Sequence, residues 1–210
     1  MAKLKPRTTR HAPPAVVADR VVAALAGVGL LVALYLTVTK LIASHALFCA
    51  SGGGCDIVQS SRWSTFFGAP TAAWGAVVYA AIVALALAGF TAGRWLFTFL
   101  LTVAAAGFSA YLTWVELFVL HAICPYCLVV AIISVALIVV LLLRQPATAA
   151  RRPWAQPLRL AGFAVTTAIV TIVVTAAAFQ ADTGLMQSTG QEALARHLAS
   201  SGAIFYGAYW

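Results

Sequence analysis

Ile123-Cys124-Pro125-Tyr126-Cys127 opens the stretch ICPYCLVVAIISVALIVVLLL, residues 123–143, and the reading of that stretch decides the fold. It carries no Asp, Glu, Lys or Arg along its whole length, and about 20 apolar residues suffice to cross the hydrocarbon core of a bilayer as a helix. Four more segments pass the same test: Val21–Leu41, Thr71–Phe90, Trp95–Leu120 and Leu160–Phe179. Each is bounded by charge, Pro or Gly, and none shows the strict alternation of a barrel strand. The first is too long for a cleaved signal peptide, and no small-residue cleavage site follows it. The composition, 63% hydrophobic and 9% charged, lies outside the range of soluble domains. The expected fold class is an all-α integral membrane protein, a four-helix bundle with a fifth transmembrane helix.

Orientation follows from the basic residues. Lys3, Lys5, Arg7, Arg10 and Arg20 precede the first span. Arg94 lies between the second and third, and Arg144, Arg151, Arg152 and Arg159 lie between the fourth and fifth. If five helices alternate, all of these share one side, and only Lys40, Arg62 and Arg196 remain on the other. The expectation is a cytoplasmic N-terminus and an extracytoplasmic C-terminus. A net charge of +8 is then a basic rim beside anionic lipid and calls for no nucleic acid.

This topology puts all four cysteines at the outer face, where disulfides form and persist. Cys49 and Cys55 form a C-x5-C pair in the first outer loop, and Cys124 and Cys127 form C-P-Y-C at the start of the fourth span. Two stapling disulfides are one reading, but C-x-x-C closes too small a loop to stabilise much through chain entropy. A zinc site of four thiolates is another, although C-x5-C is a loose partner for C-x2-C. Redox chemistry fits better. Proline at the first helical position is well tolerated, which makes Cys124 an N-cap and sets Cys127 one turn along. The positive end of the helix favours a thiolate there. Cys127, if turned into the bundle, could meet an apolar electron acceptor without entering water.

The loop pair is built to move, with Ser51-Gly52-Gly53-Gly54 between its cysteines. After Cys55, residues Asp56 to Phe67 mix apolar and polar positions too finely to span. They read as a short interfacial helix or lid whose Trp63, Phe66 and Phe67 cover an apolar pocket. An ordinary aromatic belt at the interface is the competing reading for those rings.

At these residues the chain resembles the vitamin K epoxide reductase family, particularly its bacterial members. The resemblance rests on Cys49 and Cys55, on Ser60-Ser61-Arg62-Trp63 and on Cys124-Pro125-Tyr126-Cys127, and covers about residues 21–144. The other quinone-linked disulfide oxidant family has its C-x-x-C pair first, the reverse of the order here. The resemblance implies a relay. Cys124 and Cys127 would be the active-site pair, with Cys127 nearer a quinone of menaquinone, ubiquinone or phylloquinone type. Cys49 and Cys55 would be the shuttle pair, with Cys55 exchanging with Cys124 and Cys49 with a thioredoxin-like donor. Ser61 would be a polar residue on the quinone side, with Arg62 and Trp63 holding the lid. Animal members that handle the epoxide have a tyrosine where this chain has Ala131, and the stretch Gly68–Trp74 lacks their asparagine. Quinone reduction is therefore expected over epoxide reduction, at the extracytoplasmic side of a bacterial inner membrane.

Two further residues stand out without the family. Glu116 lies near the outer end of the third span, where an ionisable group is costly and often functional. It is a candidate quinone-site residue and proton relay, unless it reaches water at the interface. His121, just before Cys124, is a solvated turn histidine or a proton shuttle. Beyond the fifth span, Ala181 to Gln187 reads as a polar exit and Gln191–Ser200 as a short helix. Residues 203–210, AIFYGAYW, resemble the first strand of a thioredoxin-like domain that would continue beyond Trp210. The expected organisation is a basic tail (1–20), the catalytic bundle (21–144), a cytoplasmic linker (145–159), the fifth helix (160–180) and an outer segment (181–210). The competing function class is a transporter or scaffold with stapling disulfides. No paired broken helices support it.

Overall fold

The structure, a computed structural model, describes residues 15–42 and 53–186, with the short pieces 197–198 and 200–201. Cys49, Ser51, Gly52 and the expected strand at 203–210 lie outside the described residues, and of the helix expected at Gln191–Ser200 only His197, Leu198 and Ser200 are described, all helical. The long helices are α1 (Ala15–Leu41), α3 (Thr71–Leu87), α4 (Ala92–Phe118), α5 (Pro125–Leu143) and α7 (Pro157–Met186). Between α1 and α3 lie the short helix α2 (Gly54–Ser60), a 3-10 turn at Arg62–Ser64 and a two-residue hairpin, β1 (Thr65–Phe66) with β2 (Ala69–Pro70). The α5–α7 connection holds α6 (Ala147–Ala150) and a second 3-10 turn at Pro153–Ala155. The protein is an all-α membrane protein. Four helices are long and apolar enough to span a bilayer, and α3, at 17 residues, sits at the lower edge of that range.

The ends of the elements follow from local chemistry. α3 stops at Leu87, short of the expected Phe90, because Gly89 takes a left-handed φ of 76° just past the Ala88 cap. Thr91 caps α4 by accepting the Arg94 N–H. α7 stays helical to Met186, through the polar stretch expected from Ala181, since no proline interrupts its backbone ladder there.

Packing between helices relies on small residues that let backbones approach. α1 lies along α3, α4 between α5 and α7, and α1 also touches α5. Gly29 sits against the Tyr79 ring, where a Cβ would come within 2.6 Å of it, and Gly107 faces the Ala168 carbonyl, with a Cβ at 3.3 Å. Trp95 is fully buried, stacks on Phe99 and Trp154, and donates its indole N–H to the Leu141 carbonyl at 3.2 Å. The Tyr79 hydroxyl lies 2.9 Å from Ser134 Oγ and 3.1 Å from the Val130 carbonyl, which ties α3 to α5. Outward positions remain apolar, with Ile132 66% and Leu143 77% exposed. Such a surface is stable against lipid and not against water.

Candidate active site

The site grows from the turn between α4 and α5. His121 takes a left-handed φ of 48° in that turn, and its side chain is exposed. The turn folds back on Glu116. The Ala122 N–H donates to the Glu116 carbonyl at 3.0 Å, and the Cys124 N–H donates to Glu116 Oε2 at 3.3 Å. Cys124 is the N-cap of α5 and Pro125 its first residue, as the sequence predicts, so the missing proline N–H costs nothing. Cys127 follows one turn later, and its thiol lies within hydrogen-bonding reach of both Cys124 and the Glu116 carboxylate. The two sulfurs and a carboxylate oxygen all lie within 4.8 Å of one another. Glu116 is 3% exposed. It does not reach interfacial water.

Cys124 and Cys127 are free thiols, whereas Cys55 is disulfide-bonded. The Cys127 thiol beside it holds Cys124 below the usual thiol range, against the opposing effects of burial and of the Glu116 charge. The pair is therefore asymmetric. Cys124 is the more readily ionised member and Cys127 its hydrogen-bond partner. Two thiols and a carboxylate also form a donor set that zinc would accept, but a four-thiolate site is not available while Cys55 is held in a disulfide.

Cys55 is buried in the first turn of α2, and a close backbone contact brings that turn to the active-site pair. A methyl group at Gly54 would fall inside contact distance of the Ile123 carbonyl oxygen. Gly54 thus lets the loop seat directly against the residue before Cys124. The sequence suggests a hinge here, and at Gly54 the structure adds a packing requirement.

A cavity of ≈ 280 Å³ lies between α1, α3, α4 and α5 and beneath the α2–hairpin lid. Cys124, Cys127 and Glu116 form part of its wall, which is otherwise mainly apolar and includes Tyr79, Phe108 and Trp63. α7 adds Thr171. The lid is fastened from both neighbouring helices. Lys40 Nζ donates to the Gln59 carbonyl and, at 2.8 Å, to Ser64 Oγ. Thr71 Oγ1 donates to the Trp63 carbonyl at 2.7 Å, and Trp74 Nε1 to the Phe66 carbonyl at 3.1 Å.

The other lid residues divide by place. Trp63 lines the cavity with the Arg62 guanidinium 4.2 Å above its ring. Ser61 donates its hydroxyl to the Val58 carbonyl at 2.6 Å, closing α2. Phe67 lies at the hairpin tip with φ 50° and 66% exposure. Its neighbour Phe66 is the ring that packs inward, 4.9 Å from Phe179 and 6.3 Å from Phe108. Lys40 and Tyr79 were not singled out as site residues from the sequence, and Phe66 and Phe67 were named together as lid rings without a distinction between them. Alternation in β1 could have favoured one phenylalanine over the other, but only once the hairpin register was known.

A free thiol pair at the start of a membrane-length helix, in the wall of an apolar cavity, is an arrangement suited to a membrane thiol oxidoreductase. Residues 20–142 match the model of the vitamin K epoxide reductase family, and the chain belongs to that family. Its members are quinone-linked disulfide oxidoreductases, which supports a multi-pass membrane enzyme acting on quinone in disulfide formation.

Proposed function

We propose that the protein takes electrons from a thioredoxin-like dithiol through Cys49 and Cys55 to Cys124 and Cys127, and from there to a quinone. The quinone would be of menaquinone, ubiquinone or phylloquinone type. The reaction would supply disulfide oxidant at the extracytoplasmic face of a bacterial inner membrane. The observation that carries this reading is the free Cys124–Cys127 pair in the wall of an apolar cavity, with disulfide-bonded Cys55 seated beside it through the Gly54–Ile123 contact.

Thiol exchange accounts for the chain's own part. The Cys55 thiolate, formed when a partner dithiol reduces the shuttle pair, attacks Cys124 of the inner disulfide, and Cys127 leaves with the electron pair and takes up a proton. Cys49 then attacks Cys55, and Cys124 leaves. A leaving thiol with a depressed pKa departs faster, and Cys124 is the depressed member of its pair. The products are an oxidised shuttle pair and a reduced inner pair, consistent with the thiol states at Cys55, Cys124 and Cys127.

The cavity suits a quinone head group. Its wall is largely apolar, it carries aromatic rings from Trp63 and Phe108, and its polar groups are few and include the reactive thiol pair. A bound quinone supplies a sink for two electrons and two protons. Trp63 and Glu116 would contact the head group. Phe66 would close the lid over it, while Ser61, Arg62 and Phe67 would shape and hold that lid. Ala131, where animal members that handle the epoxide have a tyrosine, favours quinone over epoxide as acceptor. Purified protein in lipid should oxidise a thioredoxin-like dithiol only when quinone is present. Equal oxidation without quinone would sink the proposal.

A further inference from the structure

Glu116 is an uncommon residue to bury. Among the described residues its carboxylate partners are the Cys124 N–H and the Cys127 thiol, with no Lys or Arg among them. A carboxylate without a cation at membrane depth is expensive, and a well-packed turn could be built without one. Its position couples two things that otherwise do not meet: the Cys127 thiol and the interior of the cavity.

We propose that Glu116 is the proton carrier of the active site, taking the proton from the Cys127 thiol and releasing it to a quinone oxygen as the pair is oxidised. This rests on the quinone reading above. Oxidation of the inner pair breaks two S–H bonds and makes the Cys124–Cys127 disulfide. Two electrons and two protons pass to the acceptor, and the product is quinol. The Cys127 proton travels by way of Glu116, whose carboxylate ends the cycle as it began. The Cys124 proton, already weakly held, exchanges with water and is replaced from solvent at the second oxygen. The wall around the pair is largely apolar, and a fixed carboxylate within hydrogen-bonding reach serves Cys127 as the base.

The structural alternative is that Glu116 merely holds the turn through the Cys124 N–H. Glu116→Gln separates the two, because the amide oxygen still accepts that N–H but cannot carry a proton. The expected result is a loss of about 10²-fold in the single-turnover rate of inner-pair oxidation by quinone, in line with removal of one general base. Quinone affinity, read by tryptophan quenching, should fall far less than the rate, because the amide keeps the size and the accepting oxygen of the carboxylate at the head group. A second readout needs no quinone. The chain has two glutamates, Glu116 and Glu192. In protein carrying isotope-labelled glutamate, the infrared difference spectrum between reduced and oxidised inner pair should contain a shifted carboxyl band that vanishes in E116Q. A wild-type oxidation rate in E116Q overturns the proposal, as does a labelled carboxyl band indifferent to the redox state of the pair. Should E116Q fail to fold, the band in labelled wild-type protein decides alone. If Cys127→Ala retains full quinone reduction, it is the quinone reading that falls.

Discussion

The two regions that carry cysteines are built in opposite ways. Cys124 and Cys127 sit on the first turn of a long helix whose neighbours are locked to it by Tyr79–Ser134 and by Trp95–Leu141. Cys55 sits on a seven-residue helix, too short to be stable alone. That helix belongs to a lid fastened by Lys40, Thr71 and Trp74 and by the Phe66 ring. A site that exchanges with one partner and reduces another gains from this division. The inner pair keeps its geometry against the cavity, and the outer cysteine sits on a part that can be released by breaking a few bonds, each worth about 0.5–1.5 kcal/mol net.

The sharpest way to break the comparison is at the inner pair. Cys127→Ala should reduce quinone-dependent turnover to background while the melting temperature moves by no more than a few degrees, measured by calorimetry in the same detergent. Gly54→Ala attacks the junction between the regions. The added methyl meets the Ile123 carbonyl, so dithiol-driven reduction of the inner pair should slow by about 10²-fold, the scale of a small misplacement of reacting groups. Direct oxidation of the inner pair by quinone should remain near normal, and stopped-flow measurement of each half-reaction separates the two.

Smaller effects test the lid and the thiols. Lys40→Met removes a donor to the Gln59 carbonyl and Ser64 Oγ. About 1 kcal/mol of lid closure, the net worth of such a bond, should appear as a rise of roughly fivefold in KM for quinone with kcat nearly unchanged. The smallest change is in pH dependence. Because the Cys127 thiol lowers the Cys124 pKa, alkylation of Cys124 in the reduced protein should begin at lower pH than for a free cysteine. Cys127→Ala should move that onset to higher pH, and an onset unmoved would show that Cys127 is not the cause.

Much of the fold was legible because apolar runs of membrane length leave few alternatives. The active helix was legible for a local reason: C-P-Y-C places an N-cap, a proline at the first helical position and a second thiol by spacing alone. Glu116 was visible as a charge out of place. What could not be read depends on registers between segments far apart in sequence. Lys40 looked like one stray cation until the last turn of α1 met Gln59 and Ser64. Gly54 looked like slack until α2 met the α4–α5 turn. Tyr79 was one aromatic among many in an apolar helix, and its bond to Ser134 crosses from α3 to α5.

The apolar cavity has a consequence for how the protein is measured. A long-tailed quinone dissolves in the bilayer and not in the buffer, so the concentration that the cavity meets is a mole fraction in the amphiphile phase. At fixed total quinone, adding detergent dilutes the acceptor without changing any molarity on the label. The apparent KM in bulk units should climb in proportion to micelle content and become constant when expressed per mole of detergent. A rate that ignores detergent would mean that the acceptor arrives from water.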